Sequence, residues 1–68
     1  MGAMMQRLVR AASAAIYHGP RDPGDAEAAR EVVRREHCSR AAAERAVGVV
    51  RDDVARTRAW MRAAPGGA

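Results

Sequence analysis

The stretch HGPRDPG, from His18 to Gly24, constrains the fold of this chain more than any other part of its sequence. It contains two prolines and two glycines. A proline inside a helix removes a backbone donor and its ring clashes with the preceding turn, and glycine favours turns over helices. A helix cannot continue through this stretch, so the chain must fold as one segment before His18 and another after Gly24.

The segment before the break has the pattern of one amphipathic helix. Its apolar residues recur every three or four positions, and Arg7 and Arg10 lie off that face. The apolar face is formed by Met5, Leu8, Ala12 and Ile16. This spacing predicts a helix over residues 5–17.

A second helix is predicted over residues 25–37. Asp25 follows the break at the position of an N-cap, where its carboxylate can accept a hydrogen bond from a free amide of the first turn. Val32 and Val33 then mark an apolar face at helical spacing. The helix is expected to end near His37.

A third helix is predicted over residues 39–63, because the Ser39 oxygen can cap the alanine-rich run that follows. Its apolar residues step by 4, 3, 4, 3 and 4 positions, which is the spacing of a heptad stripe. The stripe consists of Ala43, Val47, Val50, Val54, Thr57 and Met61. An alternative places a turn at Arg51 to Asp53, with Asp53 capping a further short helix.

These patterns predict an all-α protein of three helices, a helical hairpin followed by a long C-terminal helix that alternatively breaks near Asp52. One domain is expected over residues 4–64. We interpret residues 1–3 as a cloning remnant and residues 65–68 as a disordered tail.

The large apolar side chains are few. The chain has seventeen alanines but one leucine, one isoleucine and no phenylalanine. Such a composition favours close helix approach or association with a second copy. Trp60 has the largest apolar area to bury, so we expect it in the core; if exposed, it would anchor an interface.

Several functional classes are disfavoured. The single cysteine, Cys38, permits neither an intrachain disulfide nor a cysteine-based zinc site, and it favours a reducing, cytoplasmic compartment. Arginines interrupt every apolar segment, so no membrane span is predicted. No nucleophile elbow, paired-carboxylate motif or glycine-rich phosphate loop is present, and we expect neither enzyme activity nor a cofactor.

The leading hypothesis is a non-enzymatic helical module that presents an apolar helix face to a partner protein or to a second copy of itself. It is motivated by the heptad stripe and by the shortage of large core residues. The interface would be carried by Val47, Val50, Val54, Trp60 and Met61.

The alternative hypothesis is a small basic nucleic-acid-binding regulator. All twelve basic residues are arginine, and the formal net charge is +4. An arginine-bearing helix can contact phosphates. The candidate contacts are Arg40, Arg45, Arg51, Arg56 and Arg58.

The stretch SRAAAERAV, which begins at Ser39, resembles the start of the recognition helix in bacterial helix-turn-helix repressors. His37 stands where those proteins have the glycine of their tight turn. The resemblance implies that DNA would be read by Arg40, Ala41 and Glu44.

Residues 29–62 resemble ubiquitin-associated-type three-helix domains, including the one at the N-terminus of bacterial elongation factor Ts. The residues that carry the resemblance are Ser39-Arg40, Ala43, Ala46-Val47, Val54 and Trp60-Met61-Arg62. The resemblance implies a turn at Arg51 to Asp53, after which Val54 opens the last helix. Residues 36–38 (EHC) occupy the place of the loop with which such domains hold ubiquitin.

Overall fold

The computed structural model describes residues 2–63, and within this range it contains three α-helices and no strand. They are α1 (Ala3–Tyr17), α2 (Asp25–Glu36) and α3 (Arg40–Ala63). The prediction of a small all-α protein with three helices is confirmed, and each boundary lies within two residues of its expected position. Helix α1 begins inside the segment interpreted as a cloning remnant, whereas the tail predicted as disordered lies outside the described residues.

The connection from α1 to α2 occupies the proline and glycine stretch. Helix α1 ends where the His18 N–H donates to the carbonyl of Ala14 at 3.0 Å. Gly24 has a φ of 89°, which glycine adopts without steric cost. The prediction that Asp25 caps α2 with its side chain is wrong: no side-chain cap forms there, and the Asp25 carboxylate instead accepts a hydrogen bond from Arg51 at 2.9 Å.

The connection from α2 to α3 is a tight turn. His37 adopts the left-handed conformation, with φ 52° and ψ 42°, and its N–H donates to the carbonyl of Val33 at 2.9 Å. Histidine is one of the few residues besides glycine that enter this region with some frequency. The predicted cap is confirmed, since the Ala42 N–H donates to the Ser39 hydroxyl oxygen at 3.1 Å.

Helix α3 is one uninterrupted helix of 24 residues. The alternative in which the chain turns at Arg51 to Asp53 is therefore wrong. Gly48 lies on an exposed side of the helix and costs it only about 1 kcal/mol of helix propensity. The arrangement implied by the resemblance to ubiquitin-associated-type domains needs that turn, so the resemblance supports no functional argument for this fold.

The three helices share a core built largely from alanine. Each helix contacts the other two, and six of the eleven buried hydrophobic residues are alanines. The larger ones are Leu8, Ile16, Val32, Val47 and Val50. Small side chains at the contacts allow helix axes to approach closely, but they bury little apolar area per residue.

Ion pairs near both ends of α2 show how the three helices are oriented relative to one another. Arg7 in α1 lies 3.9 Å from Glu36 at the end of α2, and Arg51 in α3 reaches Asp25 at the start of α2. Helix α2 is therefore antiparallel to both of its neighbours. Beyond Arg51, α3 continues for about three turns past this end of the bundle, and the molecule extends over 45 × 29 × 15 Å. We call residues 52–63 the outer half of α3.

Candidate functional site

The heptad stripe of α3 divides into a covered and an uncovered part. Ala43, Val47 and Val50 belong to the core shared with α1 and α2. Val54 is half-buried, and every residue of α3 after it, from Ala55 to Ala63, is exposed. The stripe thus continues past the end of the bundle, because α1 and α2 do not extend far enough to cover it.

This division corrects two predictions. Val47 and Val50 cannot carry the interface predicted for them, because only 2% and 6% of their surfaces are exposed. The expectation that Trp60 lies in the core is wrong, since it is 72% exposed, and its neighbour Met61 is 65% exposed. Of the residues predicted for an interface, Val54, Trp60 and Met61 are accessible to a partner.

The accessible residues form one surface. Because an α-helix turns once in 3.6 residues, Val54, Thr57 and Met61 lie along one line, with Trp60 beside Thr57. We call these four residues the outer face. Two shallow hollows of about 310 and 470 Å³ adjoin Thr57. Their linings are Asp53, Arg56, Thr57 and Trp60 for the first and Asp53, Val54, Thr57 and Arg58 for the second.

Arginines border the outer face along both edges. At helical spacing, Arg58 and Arg62 lie along one edge and Arg56 along the other. Within residues 2–63, none of the three has a carboxylate within 4.0 Å. Residues 54–63 include these three arginines and no acidic residue. From Val54 onward the surface is therefore apolar in the middle with arginines along both edges, and Asp53, which lines both hollows, places one negative charge at its inner end.

Arg51 does not belong to this surface, although it was a predicted nucleic-acid contact. Its guanidinium donates to both carboxylate oxygens of Asp22, at 2.6 and 2.7 Å, and to Asp25 at 2.9 Å. The hydrogen bonds to Asp22 and Asp25 raise the pKa of Arg51 above its ordinary value. Arg51 thus ties the α1–α2 loop to α3, and its charge is already compensated.

The other predicted nucleic-acid contacts differ in their surroundings. Arg40 donates to Glu44 at 3.1 Å on the same helix, so the first turn of α3 presents a paired charge. Arg45 is exposed and, among the described residues, has no carboxylate within 4.0 Å. Arg56 and Arg58 border the outer face. The five predicted contacts therefore do not form one continuous basic surface.

A further hollow of about 380 Å³ lies between α2 and α3. Its lining consists of Asp25, Ala26, Arg40, Glu44, Val47 and Gly48. Its charged groups are engaged, since Arg40 pairs with Glu44 and Asp25 with Arg51. Its charged groups are therefore less available to a partner than the arginines that border the outer face.

Thr57 and Arg62 also belong to the surface around Trp60, although neither was predicted for an interface or a nucleic-acid contact. Both carried a signal in the sequence, because Thr57 lies on the heptad stripe and Arg62 follows Arg58 by one helical turn. The pattern could not indicate where the stripe becomes exposed. That point depends on how far α1 and α2 extend alongside α3.

Among residues 2–63, no three side chains of the types that bind metals come together. None of the described helices is long and apolar enough to span a membrane. Comparison with protein-family models, with curated proteins and with solved structures finds no significant match for this chain.

Proposed function

We propose that this chain is a non-enzymatic protein-interaction module that binds another polypeptide through the outer face of α3. The observation that carries the proposal is the exposure of Trp60 together with Met61 on a helix that has passed the end of its bundle. The proposal assigns no catalytic step and no cofactor to the chain.

The distribution of apolar residues supports this function. The core consists mainly of alanine, while Trp60 and Met61 lie outside it. A cluster of large exposed apolar residues commonly marks an interaction surface. Tryptophan is enriched among the residues that contribute most to binding, and methionine adapts its flexible side chain to irregular partners.

The spacing of the outer face favours a helical partner. Val54, Thr57 and Met61 continue the same heptad stripe that packs against α1 and α2 inside the bundle. A partner helix along the outer face would contact side chains at the same heptad spacing that α1 and α2 contact in the first half of α3. The partner would therefore extend the helical packing of the bundle along the outer half of α3.

Titration with designed helical peptides tests this function. Three labelled peptides carry leucines at heptad spacing and differ only in their flanking residues, which are glutamine, glutamate or lysine. We expect at least one to bind, with a blue shift in the emission of Trp60, the only tryptophan of the chain. The variant Trp60→Ala/Met61→Ala should bind at least about tenfold more weakly, because interface anchors typically contribute on this scale.

If no peptide of any charge binds, and the Trp60 emission and sedimentation of the protein alone stay constant over concentration, the outer face binds neither a helix nor a second copy. Variants are compared only after circular dichroism shows native helix content.

Nucleic-acid binding is a second candidate, favoured by the accessible arginines Arg45, Arg56 and Arg58. This function is tested by measuring the affinity of the protein for a DNA duplex at low salt. The affinity should fall steeply as salt is added. Loss of duplex affinity in Arg56→Ala/Arg58→Ala, with Trp60→Ala unchanged, would favour this function over the first.

A further inference from the structure

The arginines along the outer face restrict which helical segment can occupy it. We infer that the partner is an acidic amphipathic helix of another protein, with apolar residues for the outer face and carboxylates for the flanking arginines. This inference rests on the function proposed above. It adds the chemical class of the partner to the surface that binds it.

Charge complementarity favours an acidic partner. Arg56 lies on one edge of the apolar stripe and Arg58 and Arg62 on the other, so a helix lying along the stripe passes between positive groups on both sides. Within the described residues, no carboxylate of the chain approaches these groups within 4.0 Å. Carboxylates on both flanks of the partner would complement them, steer its approach and select against neutral or basic helices.

A second copy of the chain fits this surface less well. In a parallel pair of outer halves, the edge with Arg56 meets the edge with Arg58 and Arg62. In an antiparallel pair, the edge with Arg58 and Arg62 meets its own equivalent. Arginine faces arginine along at least one edge in both arrangements, and like charges across an interface oppose association. Asp53, beside Arg56, offsets only one of these charges. The surface therefore selects a different polypeptide.

The width of the apolar stripe favours a protein over an anionic membrane. Only Val54, Trp60 and Met61 contribute large apolar groups, and the opposite side of the helix carries small alanines rather than a strongly polar face. Helices that lie in a membrane interface combine a broad apolar face with a strongly charged one. A narrow stripe between two charged edges is instead the geometry of helix-to-helix recognition.

The three peptides also test this inference. The glutamate peptide should bind at least about tenfold more tightly than the glutamine peptide at low salt, and the lysine peptide should bind least. The advantage of the glutamate peptide should shrink as ionic strength rises, because salt screens exposed charges within about 10 Å at 0.1 M. Peptide anisotropy is the readout, since it remains available in variants that lack Trp60.

Charge reversal identifies the residues responsible. In Arg56→Glu/Arg58→Glu/Arg62→Glu, the order should invert, with the lysine peptide binding better than the glutamate peptide. Arg45→Glu is the matched control, because it reverses an exposed charge of α3 away from the outer face and should preserve the original order. Trp60→Ala/Met61→Ala should weaken the glutamate and glutamine peptides alike.

The outcomes separate the inference from the proposed function. Equal binding of all three peptides, lost in Trp60→Ala/Met61→Ala, would overturn the acidic partner and leave the interaction surface intact. Binding of the glutamate peptide that survives Trp60→Ala/Met61→Ala would overturn both, because the outer face would then be dispensable. A Trp60 blue shift with phosphatidylglycerol vesicles or a DNA duplex, but with no peptide, would also overturn both.

Discussion

Asp22 and Arg51 connect the α1–α2 loop to α3, and their pairing depends on pH. The hydrogen bond from Arg51, together with one from the Gly24 amide, lowers the pKa of Asp22 from 3.8 to about 2. A carboxyl group whose pKa falls on folding stabilises the folded state above its unfolded pKa. That contribution is complete above about pH 3.8 and is lost as the pH falls toward 2. Glu31 acts in the same direction, because Arg34 and Arg35 lower its pKa.

Asp22→Asn should lower stability at neutral pH and flatten the dependence of stability on pH between about 3.8 and 2. The reason is that asparagine keeps the shape of the side chain but loses the charge that Arg51 stabilises. Thermal unfolding followed by circular dichroism over a series of pH values measures both effects. Asp52→Asn removes the same formal charge from an exposed residue and serves as the control; identical acid profiles for the two variants would contradict the role of Asp22.

Substitutions of His37 test whether the tight turn between α2 and α3 requires the left-handed conformation. His37 has a φ of 52°, which costs a residue with a Cβ roughly 1 to 2 kcal/mol, and its side chain is exposed. His37→Gly should therefore raise the free energy of unfolding by about 0.5 to 1 kcal/mol. His37→Val should lower it, because a β-branched side chain tolerates a positive φ less well than histidine does. Urea denaturation measures both. Equal stability of the two variants would mean that the turn does not need the left-handed conformation.

Helix α3 is one element with two environments. Its first half is held by the core, whereas its outer half has no neighbouring helix. An isolated helix of this length is marginal in water, since most helical stability in proteins comes from tertiary packing. The outer half is therefore expected to be the less stable part of α3, and the proposed partner would stabilise it.

Hydrogen exchange should divide α3 at the end of the bundle. The amides of residues 46–50 should be the best protected of the helix, because their hydrogen bonds open only when the core unfolds. The amides of residues 57–63 should exchange at least about tenfold faster, because their hydrogen bonds open by local fraying. Exchange measured by NMR resolves the two groups. Addition of the glutamate peptide should slow the second group alone; uniform protection along free α3 would contradict the division.

The helix ends were predictable because their signals are local. The prolines and glycines after Tyr17 and the Ser39 hydroxyl act within one turn of the residues they affect. The exposure of Trp60 could not be predicted in the same way. A heptad stripe is identical whether or not a neighbour covers it, so burial depended on the relative reach of three helices. The role of Arg51 depended likewise on Asp22, which lies far from it in sequence.

At the scale of the whole molecule, the small core limits stability. The single apolar core of a 68-residue chain rarely supplies more than about 3 to 5 kcal/mol of folding free energy, and here much of that core is alanine. Leu8, the only leucine and 2% exposed, contributes a large share of the burial. The stability of the fold therefore depends on a few buried side chains, whereas several of the largest apolar side chains are exposed and contribute little to it.

Leu8→Ala should remove about 2 to 5 kcal/mol and leave much of the protein unfolded at room temperature. Trp60→Ala should change the free energy of unfolding by no more than about 0.5 kcal/mol, since it removes an exposed side chain. Helix content at 222 nm and urea denaturation compare the two variants directly. A loss of several kcal/mol in Trp60→Ala would show that the tryptophan packs against the bundle.

The interval between Val50 and Val54 separates the residues that fold this protein from those exposed beyond the bundle. Distant sites with no shared neighbours contribute to stability independently. The sequence of residues 55–63 can therefore be exchanged for that of another solvent-exposed helix without redesigning the core. Under the proposed function, substitutions in residues 55–63 can change the choice of partner while the fold stays the same.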